Sequence, residues 1–188
     1  MIRHFVTDRR RFRLTPEALV ARAGHAARNG ADVIQIRERD LADAALLDLV
    51  RRVMDAVRDA GARVLVNDRA DVALASGAAG VHLRTDSPPA SRIRAIVPPG
   101  FLIGRSVHTT EEIEAALLDG GCDYLMFGTV FPSAGKPPGH PFAGLDALTR
   151  VCARSPIPVV AIGGMTPDRE PEIARAGAAG LAAVGWFM

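Results

Sequence analysis

The residues best suited to chemistry sit in short polar clusters, each placed directly after an apolar run. Gly163 and Gly164 follow Pro158-Val-Val-Ala-Ile162 and precede Met165, Thr166 and Pro167. Paired glycines there let backbone N–H groups approach an anion with no Cβ in the way. With Thr166 as N-cap and Pro167 at the first helical position, a helix start adds partial positive charge. The same residues also suit a tight strand-to-helix turn that binds nothing. Ser106-Val-His108 follows another run, and a histidine there has the ordinary pKa, near 6.5, for moving a proton at neutral pH. It could equally anchor its loop by hydrogen bonds. Arg37 and Lys136 supply the cationic groups that a phosphate ester needs, with Gln35, Arg39 and Ser133 beside them. Their duller readings are an Arg37 or Arg39 pair with Glu38 or Asp68, and a lysine in solvent. Asn67-Asp68, with Asp86 from a later loop, could ligate Mg²⁺, which takes one or two carboxylates and fills its shell with water and phosphate oxygens. Asn67-Asp68 serves equally well as a helix cap.

Eight short β-type runs position these clusters, and they alternate with helical segments. They read as His4–Asp8, Asp32–Glu38, Arg63–Asp68, Gly80–Leu83, Phe101–Val107, Tyr124–Val130, the run ending at Ile162, and Gly180–Trp186. Thr15-Pro16 opens the first helix, and Leu46, Leu49, Val50, Val53 and Val57 repeat at helical spacing in the second. Ser87-Pro-Pro opens the fourth, and Thr109 caps the fifth ahead of Glu111 and Glu112. Strict alternation predicts a parallel sheet with right-handed crossovers. Eight units close most naturally into a (β/α)₈ TIM barrel, with an open doubly wound sheet as the alternative. No Gly-x-Gly-x-x-Gly follows the first strand, which counts against a dinucleotide fold. In a barrel, Gln35, Arg37, Arg39, Asn67, Ser106, His108, Ser133, Lys136, Gly163, Gly164 and Gly185 all fall at the carboxyl ends of strands, where such folds keep their reactive groups. His82, inside the fourth strand, could point inward, whereas His4, His25 and His140 read as peripheral.

Size and composition exclude several other classes. The 188 residues, 48% hydrophobic and 23% charged, fit a single α/β domain over 1–188. A net charge of +2 and 5% aromatic residues give no basis for nucleic-acid binding. The one basic cluster, Arg9–Arg13, reads as a solvated loop. No run is long enough to span a bilayer and no signal peptide is visible, so a cytoplasmic protein without membrane contact is expected. Cys122 and Cys152 have neither metal-ligand nor framework spacing. No eighth helical segment follows the last strand, so the final helix reads as missing or truncated; an apolar flank that includes Trp186 and Phe187 then needs either a partner subunit or further chain, and a homodimer is expected.

In this order, the motifs resemble those of the thiamine phosphate synthase superfamily over nearly the whole chain. The matching pieces are Gln35-Ile-Arg-Glu38, Val66-Asn-Asp68, Gly80-Val-His-Leu83, Gly104-Arg-Ser-Val-His108, Phe127-Gly-Thr-Val-Phe-Pro132 with Lys136, and Ala161-Ile-Gly-Gly164. The resemblance implies a usually dimeric (β/α)₈ barrel that binds a thiazole phosphate. The synthase branch joins a pyrimidine diphosphate to that phosphate using Mg²⁺, and would use Asp68 and Asp86 for metal. Here Ser87 stands where that branch has an acid, Arg84 where it usually has a glycine, and Ser133-Ala-Gly-Lys136 where it has Thr-x-Thr-Lys. Ile36-Arg-Glu-Arg39, the stretch ending at His108 and Gly163-Gly-Met-Thr-Pro-Asp-Arg169 look closer to the TenI-type thiazole tautomerase branch. That branch aromatises a thiazole carboxylate phosphate and needs no cofactor. His108 and Lys136 would then be catalytic, and Gly163, Gly164 and the backbone near Gly185 would hold the phosphate. A metal-independent tautomerase is the first expectation, the Mg²⁺-dependent synthase the alternative, and a non-catalytic thiazole-phosphate-binding relative the third.

Overall fold

Each β-type run forms a strand, and the strands pair in chain order. The computed structural model describes residues 1–133, 137 and 139–187. Its strands are β1 (Ile2–Val6), β2 (Val33–Ile36), β3 (Arg63–Asn67), β4 (Gly80–Leu83), β5 (Leu102–Val107), β6 (Tyr124–Gly128), β7 (Val159–Ile162) and β8 (Gly180–Ala183). All neighbours are parallel, and β1 pairs with both β2 and β8, so the sheet closes into the expected barrel rather than an open sheet. Closure leaves no edge strand with unpaired N–H and C=O groups.

Between the strands lie α1 (Pro16–Arg28), α2 (Asp43–Val57), α3 (Ala70–Ser76), α4 (Ala90–Arg94), α5 (Thr110–Asp119), α6 (Gly144–Arg154) and α7 (Glu170–Arg175). Local chemistry sets their starts. Thr15 Oγ1 accepts from the Ala18 N–H at 3.2 Å to cap α1, and Thr109 Oγ1 accepts from the Glu112 N–H at 3.2 Å to cap α5. The α2 stripe from Leu46 to Val57 is buried against the barrel, as its spacing predicts.

Side chains alternate between the helical layer and the barrel axis. Inside, Val6, Met126, Val160 and Ala182 form one small apolar cluster, and Tyr124 lies over Gly104, where a Cβ would come 2.0 Å from the ring. His4 is 1% exposed and faces His82 and Tyr124 with ring centroids 6.3 and 6.1 Å away. It belongs to the barrel interior, a correction to its peripheral reading. Period alone could not reveal this, because a lone histidine carries no sign of which strand face is closed off.

Several strand ends also differ from expectation. β6 stops at Gly128, although Val130 is fully buried and its N–H donates to the Ile162 carbonyl at 2.9 Å. Apolar loop residues thus continue the pattern of a strand without its pairing. α4 begins only at Ala90, because Ser87 and Pro88 each precede a proline, which disfavours helical backbone, and Pro89 is extended at the N-cap. No helix follows β8 among the described residues. The apolar flank expected there is partly closed by the chain itself: Phe187 is 8% exposed, stacks on Trp186 at 5.2 Å and meets Phe5 at 5.4 Å. No helix among the described residues is long and apolar enough to cross a membrane.

Candidate active site

The carboxyl ends of the strands open on a cavity of about 820 Å³. Gln35, Arg37, Arg39, Asn67, Asp86, Ser106, His108, Ser133, Gly163, Gly164 and Gly185 all lie along it. Asp68 does not, and Lys136 lies outside the described residues. Three arginines absent from the expected set, Arg11, Arg84 and Arg169, also reach the cavity.

Amides and imidazoles form the floor. Gln35 and Asn67, both buried, are joined by the Gln35 Nε2–H donating to Asn67 Oδ1 at 2.9 Å, so Asn67 closes the floor rather than capping a helix. Gln35 Oε1 and His4 Nε2 have no hydrogen-bond partner among the described residues. The His82 ring lies 2.9 Å from the Tyr124 hydroxyl through Nδ1 and 2.9 Å from the Ser106 hydroxyl through Nε2. Burial, first, and then the proximity of His4 and Arg105 push the His82 pKa down to about 3, so its ring is neutral. One nitrogen donates and the other accepts, which ties the orientation of the Ser106 hydroxyl to that of Tyr124.

His108, an exposed residue, lines the same cavity. Its backbone N–H donates to Glu112 Oε2 at 2.6 Å, and its Nδ1 lies against the Gly128 carbonyl. A carbonyl only accepts, so Nδ1 carries the hydrogen and Nε2 is left as the nitrogen able to take a proton. The two sequence readings of His108, loop anchor and proton carrier, therefore describe different nitrogens of one ring.

Packing accounts for the paired glycines. Gly163 has φ +104° and Gly164 φ +65°. A Cβ on Gly163 would meet Thr129 Cγ2 at 2.5 Å and Thr129 Cα at 2.9 Å, and one on Gly164 would meet the Pro132 carbonyl oxygen at 2.4 Å. Glycine is thus required whether or not an anion binds. The following segment is a short 3₁₀ turn, Pro167–Arg169, ahead of the six-residue α7, and Thr166 makes no side-chain cap. The helix start expected at Thr166-Pro167 is present, with Thr166 at the N-cap and Pro167 in the first turn, but it winds as 3₁₀ into a short helix, so its axial dipole is small. Positive charge comes instead from Arg169, which donates to the Gly164 carbonyl at 3.1 Å and lies 3.9 Å from the Phe131 ring centroid.

Arginines dominate the remaining wall, and their partners differ from those expected. Arg37 pairs with Asp8 at 3.6 Å. Glu38 takes the Thr7 hydroxyl at 2.7 Å and the Arg9 N–H at 3.1 Å, and Arg9 also pairs with Asp40, so Arg9 is tied down rather than solvated. Burial outweighs these bonds and raises the Glu38 pKa. Arg39 forms no ion pair among the described residues. Burial, Arg37 and Arg84 lower its pKa, which marks a cation crowded by other cations. Cys122 is half-buried, and burial pushes its thiol up to about 11, which disfavours the reactive thiolate.

The metal expectation meets a specific obstacle. Among the described residues no three His, Cys, Asp or Glu side chains gather as a metal site. Asp68 and Asp86 do come together, but around Arg84. The guanidinium lies 3.5 Å from Asp68 Oδ2 through one terminal nitrogen and bonds Asp86 through the other, while the Ser87 hydroxyl donates to Asp68 Oδ1. A bridging cation would have to occupy the space that Arg84 fills. As arranged, these residues do not fit Mg²⁺.

Fold and site together define a closed (β/α)₈ barrel with a cation-lined cavity at its C-terminal mouth. The chain belongs to the thiamine monophosphate synthase family, whose model matches residues 3–186. A thiamine-phosphate synthase of Anaeromyxobacter dehalogenans is 44% identical over 165 residues, covering 88% of this chain and 73% of the relative. One from Roseiflexus castenholzii is 38% identical over 182 residues, 96% of this chain and 78% of the relative. The solved thiamine phosphate pyrophosphorylase of Pyrococcus furiosus superposes with TM-score 0.82 and 33% identity over 97% of this chain and 85% of that one. These relatives carry the name of the synthase rather than of the tautomerase, so the branch expected first from the motifs is not the one the comparisons favour.

Proposed function

We propose that this protein is an enzyme of thiamine biosynthesis that binds a thiazole phosphate in the cavity and joins it to a pyrimidine diphosphate, as a transferase. One observation carries the reading. Arg37, Asn67, Ser106, Gly163 and Gly164 line a single cavity in a chain 44% identical to a thiamine-phosphate synthase. The glycine turn and Arg169 suit the thiazole phosphate, and Arg37 with the unpaired Arg39 suits the diphosphate, since guanidinium groups match phosphate oxygens two at a time. The Gln35 and Asn67 amides offer donors and acceptors to a heterocycle. A cavity of this size, with polar groups at fixed positions, is typical of small-molecule sites.

A specific feature favours a second reading, the thiazole tautomerase. His108 presents a ring nitrogen able to accept a proton beside the same cavity, and a proton shift needs no diphosphate grip. The test is to incubate the protein with each thiazole tautomer, with and without pyrimidine diphosphate and Mg²⁺, and to identify the products. Thiamine phosphate supports the first reading, and an aromatised thiazole formed without pyrimidine supports the second. Tight thiazole phosphate binding with neither product refutes both and leaves a non-catalytic relative.

A further inference from the structure

We propose that Arg84 is a built-in replacement for a divalent cation: held between Asp68 and Asp86 at the cavity rim, its guanidinium binds the diphosphate end of the substrate without metal. This rests on the proposed reading that a diphosphate enters the cavity. Three features carry it. First, both oxygens of Asp68 are engaged, Oδ1 by the Ser87 hydroxyl and Oδ2 by Arg84, and Arg84 rather than Asp68 lines the cavity. A metal ion would find one carboxylate oxygen paired with a positive charge and the second already hydrogen-bonded.

Second, the loop that places Arg84 is tied down. The Arg84 N–H donates to Ser87 Oγ at 2.8 Å, and Arg105 donates to the Ser87 carbonyl at 2.8 Å and to that of Pro88. Ser87 therefore acts as acceptor from one residue and donor to Asp68, a bridging role that a carboxylate at this position could not fill. Third, the donors are present in excess. A guanidinium has five N–H groups in a planar fork, and Asp68 and Asp86 each take one, which leaves the remainder for phosphate oxygens. Arg37 and Arg39 line the same cavity and extend the grip.

The test is calorimetric titration of the intact chain with inorganic pyrophosphate, in chelator and in excess Mg²⁺. The parent protein is expected to bind in chelator, with Mg²⁺ changing the dissociation constant by less than about threefold. Arg84→Ala should weaken binding in chelator by at least about tenfold, and Arg84→Lys, which keeps charge but loses the fork, by an intermediate factor. Arg84→Gly combined with Ser87→Asp should reverse the metal response, with Mg²⁺ tightening pyrophosphate at least about tenfold and Mn²⁺ giving a water-relaxation signal absent from the parent. Pyrophosphate binding by the parent only with Mg²⁺, or full affinity of folded Arg84→Ala and Arg84→Lys in chelator, overturns the proposal. The product assay separates the two layers. Thiamine phosphate formed only with Mg²⁺ overturns the role of Arg84 and leaves the synthase reading standing. Metal-free pyrophosphate binding lost in Arg84→Ala, with no thiamine phosphate formed, supports Arg84 and refutes the synthase reading.

Discussion

Replacing Gly163 by alanine tests whether the turn beside the cavity is closed as described. The added Cβ meets Thr129 Cγ2 at 2.5 Å and Thr129 Cα at 2.9 Å, the second a backbone atom that cannot rotate away. At φ +104° an L-residue also pays a conformational cost of about 1–2 kcal/mol. Overpacking adds about 1–3 kcal/mol, so a total near 3 kcal/mol is expected. For a chain of this size each kcal/mol lowers the melting temperature by about 2–4 °C, giving a drop of roughly 6–12 °C. Gly185→Ala is the control, because its Cβ meets nothing within 4 Å; its melting temperature should stay within about 2 °C of the parent. The assay is scanning calorimetry at one scan rate for all three proteins. If Gly163→Ala melts within about 2 °C of the parent, the turn is not packed on Thr129 and the argument from glycine geometry fails.

Under the tautomerase reading, His108→Ala should lower turnover by about 10²–10⁴ while phosphate-ester binding persists; unchanged turnover removes His108 from the chemistry. Stability should fall on the acid side, because burial, the leading cause for both, lowers the pKa of His4 and His82 from 6.5 to about 3. The unfolded chain binds more protons between those limits, so the contribution is complete above pH 6.5 and declines as pH falls toward 3. At pH 5 the loss is about 2 kcal/mol per histidine, read as a lower urea midpoint than at pH 8. An equal midpoint at the two pH values would show the rings to be charged or open to water in the folded protein. Self-association, expected from the sequence, is checked by sedimentation equilibrium; we propose a homodimer, and a single-chain mass at micromolar concentration refutes it. Large exposed apolar side chains are scattered, among them Ile96 after α4, Leu118 on α5 and Phe142 ahead of α6.

The readings that held were those in which a residue's role depends on near neighbours in the chain. Thr15 and Thr109 cap helices within four residues of themselves, and the α2 stripe depends only on the helical repeat. The described strand-end residues, from Gln35 to Gly185, gather at one mouth because parallel closure puts every carboxyl end on the same side. The readings that failed needed knowledge of distant partners. His4 looks peripheral until β1 is closed against β8 and Tyr124 is laid over Gly104. The Gly163-Gly164 turn signalled the helix start that is found at Pro167, but not that it winds as a 3₁₀ turn with Arg169 bonded back to the Gly164 carbonyl.

By itself the sequence determined the alternation of strands and helices, the barrel, the family and the rim on which the polar groups lie. Period, caps and motif order are written along the chain and survive without coordinates. Only the tertiary structure decided which charges meet. Arg84 settles between Asp68, sixteen residues before it, and Asp86, two after it, and so fills the place the sequence had reserved for a metal ion. Such pairing is a matter of which side chains reach one another across neighbouring strands, and the order of residues does not encode that distance.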